Sequence, residues 1–269
     1  VTLSFAEMVI LWLGGMTFYA AINPALTTMA TGGFSTKNAS VAHFDSPFIQ
    51  YTICFFMFLA GTNFTLTYFG LHGKFKKMFQ NEEFRFYAGI CILLTTICAV
   101  SVYTHSPTSM ERAFRDALFQ VISIITTTGY VTADYSQWAH STVVILFVLM
   151  FIGASAGSTA GGVKIVRHIV LVKNSILELQ RQLHPSAIIP VRLNKKAVHR
   201  DITFNILAFI MIYISIFAVG SFIMAWLGVD FLTAIGSVAT SLGNIGPGMG
   251  DVGPVDHFGD LPTAGKWFL

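Results

Sequence analysis

The chain has 269 residues, of which 54% are hydrophobic, 14% aromatic and only 11% charged, with a formal net charge of +3. Soluble domains carry about 25% charged residues, so this composition excludes an ordinary water-soluble fold and describes an all-helical polytopic membrane protein. Cys54, Cys91 and Cys98 lie inside apolar runs, without the short spacing that metal sites or disulfide frameworks need, and read as packing residues.

In chain order, apolar stretches cover residues 3–22, 47–71, 86–103, 141–172 and 202–228. The first has neither an initiator methionine nor a basic leader, so Val1 reads as the inside of a longer protein, and "LPTAGKWFL" (261–269) begins a further apolar run. Taken as one helix at 1.5 Å per residue, residues 47–71 would reach about 37 Å, enough to cross a bilayer core of about 30 Å with tilt. The stretch 141–172 carries a Gly/Ser-rich break.

Charge orients these spans, because short cytoplasmic loops carry the excess of Lys and Arg. Lys74, Lys76, Lys77 and Arg85 fall in one loop, and a basic segment runs from Lys164 to Arg200. The opposite loops hold mainly acids, among them Asp45, Glu111, Asp134, Asp230, Asp251 and Asp256. The basic face is expected to be cytoplasmic, and an acidic outer face would concentrate small cations around a pore mouth. Ordinary solvated loops would show the same charges.

A repeat gives the acidic face a purpose. Three segments too short to span each follow a spanning stretch and end in a glycine-bearing polar run: "NPALTTMATGGFS" (23–35), "AFRDALFQVISIITTTGYVT" (113–132) and "DFLTAIGSVATSLGNIGPGMG" (230–250). Aligned on their loops, they place Gly33, Gly129 and Gly246 in register. Non-helical backbone at membrane depth is tolerated only where it lines protein or water, which makes re-entrant loops pore candidates. A dehydrated monovalent cation needs several oxygens at once, and backbone carbonyls from related loops supply them. Glycine permits the required backbone angles, and Thr127 and Thr128 add carbonyls, with hydroxyls to brace the loop. Each short helix would aim its negative C-terminal end at the ion.

These loops, with "GASAGSTAGGVK" between the second and third, resemble the TrkH/KtrB superfamily of potassium-transporting membrane subunits over essentially the whole chain, and "TGGFST" leans towards the TrkH branch. The resemblance implies span, pore helix, span units around a pseudo-fourfold pore in a bacterial inner membrane. Residues 1–71 would be the second unit, 72–200 the third and 201–269 the fourth, without its last helix. It places the filter at Thr31, Gly32 and Gly33, at Thr127, Thr128 and Gly129, and at Asn244, Ile245 and Gly246. Potassium is then the transported ion, with no organic cofactor in this chain. The partners implied are membrane lipid, a cytoplasmic ring of nucleotide-binding regulatory subunits and a second copy in a homodimer, with no nucleic acid. Tyr130 is followed by Val131, and Phe34 by Ser35, where a two-glycine filter would turn again. Fewer ordered carbonyl rings, and less strict rejection of sodium, are the consequence.

The break "GASAGSTAGG" (153–162) would cost a continuous helix about 1 kcal/mol per glycine relative to alanine, so the helix is expected to unwind there. In the family this stretch corresponds to a loop that closes the pathway beneath the filter, formed here by Gly153, Ala154, Ser155, Ala156, Gly157, Ser158, Thr159, Ala160, Gly161 and Gly162. Composition alone equally allows a close helix contact through Gly153 and Gly157. Lys164, at the edge of the span, either joins the closure or snorkels to the cytoplasmic interface.

The histidines, including His168 and His184, form no ligand pair with an acidic partner, and no nucleophile elbow, phosphate loop or zinc-protease motif is present, so no enzyme is expected. A carrier with broken helices remains the alternative within transport. A membrane-embedded enzyme would need paired ionisable residues at membrane depth.

Overall fold

The first helix, α1 (Thr2–Leu13), ends in a turn at Gly14, and Thr17 then caps α2 (Phe18–Met29) by accepting from the Ala20 amide at 3.3 Å. In this computed structural model, which describes residues 1–183 and 189–269, the apolar stretch 3–22 is therefore not one span. Its second half already belongs to the pore helix, which begins at Phe18 and not at Asn23. Hydropathy runs through the turn unchanged because the residues on both sides of it are apolar.

The stretch 47–71 is also broken. α3 (Pro47–Ala60) stops at Gly61, and α4 (Phe64–Leu71) leaves it at 116°, started by the Asn63 side chain accepting from the Thr65 amide. Gly61 packs where a side chain would meet the Tyr87 hydroxyl, Thr126 and Ala154. The expected tilted 37 Å helix gives way to a span that breaks against the molecular centre. α5 (Phe75–Gln80) follows.

Two stretches do form unbroken helices, α6 (Glu82–His105) and later α10 (Arg200–Trp226), and these are the described helices long and apolar enough to cross a membrane by themselves. Asn81 caps α6 with Glu82 and Glu83 in its first turn, where carboxylates favour the helix dipole. Outward residues such as Ile92, Val100, Met211 and Phe222 are exposed hydrophobics suited to lipid. The exposed face is a lipid face.

Between them come α7 (Met110–Ile125), the middle pore helix, and α8 (His140–Leu149). The chain then unwinds until α9 (Ile165–Leu183), so the expected break exists and is wider than the Gly/Ser run. A small hairpin of β1 (Arg192–Leu193) and β2 (Lys196–Ala197) precedes α10. Lys173 on α9 pairs with Glu82 and donates to the Arg192 carbonyl, and Asn194 accepts from the Glu82 amide, so the basic segments gather at one end. His184 lies outside the described residues.

The last pore helix is α11 (Phe231–Gly243), followed by α12 (Thr263–Phe268). α7 lies at the centre: its Ile124 and Ile125 pack with Tyr87, Leu146 and Leu149, while Phe119 and Ile122 pack with Leu11, Ile53 and Met57. All three cysteines are buried and unpaired.

Asp230 starts α11 by accepting from the amides of Leu232 at 3.1 Å and Thr233 at 3.2 Å. The Thr233 hydroxyl foremost, and these amides, hold its carboxyl below its ordinary range. Asp230→Ala is expected to cost about 0.5–2 kcal/mol, as cap removals do. A lowered native pKa means that the contribution is present at neutral pH, starts to fade near the unfolded value of about 3.9 and is gone below the native one. Thermal unfolding of both proteins from neutral to acid pH should show their difference shrinking over that window.

Candidate functional site

The three pore helices end in the same turn. In the first, Thr31 N–H donates to the Thr28 carbonyl at 3.0 Å and Gly32 N–H to the Thr27 carbonyl at 2.7 Å. Thr127 to Ile124 and Thr128 to Ser123, both at 2.9 Å, repeat the pattern in the second, and Asn244 to Ser241 at 3.2 Å and Ile245 to Thr240 at 2.9 Å repeat it in the third. This paired closure of the last carbonyls normally demands a left-handed glycine. Here the left-handed residues are Thr31 (φ 52°), Thr127 (φ 54°) and Asn244 (φ 55°). A β-branched residue in that region is a true outlier, at about 1–3 kcal/mol each.

Two residues on, the backbone turns left-handed again at Gly33 (φ 64°), Gly129 (φ 81°) and Gly246 (φ 118°). Left-handed residues at every second position undo the alternation of an extended strand, so successive carbonyls can turn to one side. The loops also abut in order. A methyl group on Gly33 would overlap the Thr128 carbonyl oxygen, and one on Gly129 would overlap the Ile245 carbonyl oxygen, at the equivalent position of the next loop. Among the described residues Gly246 meets no such carbonyl, its nearest neighbours being Gly129 atoms at 3.7 and 3.8 Å. Each loop presses its glycine on the next, and the third presses on none.

The threonine hydroxyls divide their work. Thr128 bonds Thr126 at 2.8 Å behind the loop, whereas Thr127 accepts from the Gly161 amide at 2.6 Å. Tyr130 ties units together: its hydroxyl lies 2.5 Å from that of Thr27, which donates to the Phe34 carbonyl at 3.0 Å. Tyr130→Phe removes this strut while Thr27 keeps its bonds to the Asn23 and Phe34 carbonyls, and is expected to cost about 0.5–1.5 kcal/mol. A thermal-shift measurement showing no loss of stability would mean the strut carries no weight.

The unwound segment lies against all three loops. Gly153 N–H donates to the Val163 carbonyl at 2.8 Å and Ile165 N–H to the Ala154 carbonyl at 3.2 Å, closing the segment at its base. The Thr159 hydroxyl donates to the Met29 carbonyl at 3.1 Å, the Gly161 amide reaches Thr127, and Gly161 packs against the Gly243 carbonyl and Asn244. From the other side, Ser155 N–H donates to the Gly61 carbonyl at 3.0 Å, Phe64 N–H to the Gly157 carbonyl at 3.1 Å, and the Asn63 amide to the Ala156 carbonyl at 2.6 Å. Lys164 does not snorkel outward; its ammonium folds back to the Ala160 carbonyl and approaches the Ser158 hydroxyl at 3.5 Å. No helix contact of the small-xxx-small kind forms, since Gly153 and Gly157 are not helical.

Residues 5–269 match the family described as TrkH, cation transport protein. The chain belongs to the TrkH family. It is 36% identical, over its whole length and 56% of the relative's, to the Trk system potassium uptake protein TrkH of Salmonella typhimurium, and 35% identical, with the same coverage, to that of Escherichia coli. It superposes on the crystal structure of the potassium transporter TrkH from Vibrio parahaemolyticus with a TM-score of 0.93 at 37% identity, covering all of this chain and 58% of that one. The chain thus spans a little over half the length of the TrkH proteins it matches, all of them named as transporters. Within this TrkH-family chain, the structure brings the nine candidate filter residues together and lays the candidate gate beneath them. Two acids escaped the sequence reading: Glu83, bonded to the gate segment, and Glu7 in α1, fully buried with neither carboxyl oxygen hydrogen-bonded among the described residues. A lone acid within an apolar run was the available signal for Glu7, whereas Glu83 sits beside Glu82 in a charged stretch.

Proposed function

We propose that this chain supplies three of four units, 1–71, 72–200 and 201–269, of a potassium pathway in a bacterial inner membrane. The observation that carries the reading is the threefold recurrence of one left-handed turn, with Gly33 and Gly129 each set against the equivalent carbonyl of the next loop. In it, carbonyls of Thr31, Gly32, Gly33, Thr127, Thr128, Gly129, Asn244, Ile245 and Gly246 replace the ion's water. The pore-helix C-termini add negative dipole ends. A further loop opposite Gly129, beyond this chain, would complete the ring.

Residues 153–162 form the closure beneath the filter, a role supported by their bonds to Met29 and Thr127 and their packing on Asn244. The names of the relatives, as parts of a Trk potassium uptake system, favour potassium as cargo. Membrane lipid, a nucleotide-binding regulatory ring at the basic end and a second copy are the partners this reading takes. The facing breaks at Gly61–Asn63 and after Leu149 favour, as a second reading, an alternating carrier with broken helices. Rubidium influx into vesicles containing the full-length protein tests both. Rising, non-saturating flux down the gradient supports a pore, saturation with counterflow supports the carrier, and no rubidium flux overturns the potassium reading.

A further inference from the structure

Glu83 opens α6 yet turns inward and is only 7% exposed. Its Oε1 accepts from the Ala156 amide at 2.6 Å, in the middle of the unwound segment. The Val166 amide, in the first turn of α9, and the Lys164 ammonium lie within electrostatic reach of the same carboxylate. One side chain therefore ties the start of α6 to the middle of the unwound segment, close to the helix that follows it. Hydrogen bonds to ionised acceptors are roughly twice as strong as neutral ones, and a carboxylate at a helix start also gains from the dipole. Of the other bonds reaching residues 155–159 from outside the segment, those from Gly61, Asn63, Phe64 and Met29 are neutral, and the charged one, from the Lys164 ammonium to the Ser158 hydroxyl, is long at 3.5 Å. Glu82 points elsewhere, to Lys173.

We propose that Glu83 is the latch of the intramembrane segment, a positioning residue whose carboxylate holds Ala156 in the closed arrangement. Losing it opens the pathway without changing ion discrimination, which resides in the filter loops. The inference rests on residues 153–162 being the closing element.

The test uses the full-length protein in phospholipid vesicles, with rubidium influx, the rubidium-to-sodium ratio and labelling of Ser158→Cys by a water-soluble thiol reagent. The three cysteines of this chain are buried, and any outside it are replaced by serine to remove background. Glu83→Ala is expected to raise influx about tenfold, the effect of about 1.4 kcal/mol on the closed-to-open ratio. Labelling of position 158 should accelerate in parallel while the ion ratio stays constant. Glu83→Gln, which keeps an acceptor oxygen but loses the charge, should fall between wild type and alanine. If Glu83→Ala folds with wild-type influx and labelling while excision of residues 154–160 raises influx, the latch is wrong and the gate stands. If neither change raises influx, the gate reading fails and the latch with it. Should the alanine variant not fold, Glu83→Gln decides, and wild-type influx and labelling in it overturn the latch.

Discussion

Gly129→Ser is expected to reduce the potassium-over-sodium preference of the full-length protein about tenfold or more, equivalent to about 1.4 kcal/mol or more of lost discrimination. Two independent causes act at this residue. Its φ of 81° is a conformation that L side chains rarely adopt, and a Cβ there would overlap the Ile245 carbonyl oxygen of the next loop. Something has to move, and a backbone carbonyl in a rigid turn moves by losing its aim. Gly33→Ser should act likewise through the Thr128 carbonyl. Gly246→Ser meets nothing closer than 3.7 Å among the described residues, so a loss of discrimination there as large as that of Gly129→Ser would report the further loop proposed to complete the ring. Expression and size-exclusion profiles separate a misaimed filter from misfolding. An unchanged potassium preference in well-folded Gly129→Ser protein would sink the filter assignment.

The parts of the fold legible in the sequence were those in which hydropathy and helix continuity coincide. α6 and α10 each hold a long apolar stretch behind a charged first turn and are unbroken, and those stretches emerged from composition. Hydropathy fails where the chain turns without becoming polar. Gly14–Gly15 and Gly61–Asn63 interrupt helices inside apolar runs, and at the second break the freed backbone groups of Gly61 and Phe64 are met by Ser155 and Gly157, and the Asn63 side chain by Ala156, far away in sequence. Nothing local announces that compensation. The glycine register of the filter loops was readable because it recurs three times. The left-handed Thr31 and Thr127 were not, since propensity argues against threonine there and only the surrounding packing holds it, whereas asparagine, as at Asn244, adopts that conformation readily. Lys164 stayed open because sequence shows a charge at a span's edge but not the direction of its side chain, and Glu83 was missed because its partner is a backbone amide 73 residues away.

Excision of residues 154–160 is expected to raise potassium flux through the full-length protein about tenfold or more, most visibly without any regulatory partner. The geometry makes the deletion practicable. Gly153 and Gly161 already lie against one another, so close that a side chain on Gly153 would overlap the Gly161 carbonyl oxygen. Joining them leaves the ends of α8 and α9 almost where they are. The excision removes the Thr159 hydroxyl from the Met29 carbonyl, Ala156 from Glu83 and Asn63, and the Ala160 carbonyl from the Lys164 ammonium, all of which fix the segment beneath the filter. It keeps the Gly161 amide on Thr127 and leaves the three left-handed turns untouched, so selectivity should survive while the barrier falls. An obstruction and a mere packing insert differ in sign here: removing packing loosens the molecule and lowers or preserves flux, whereas removing a plug raises it. Folded protein with unchanged or reduced flux would therefore assign residues 153–162 to packing, whatever the filter loops do.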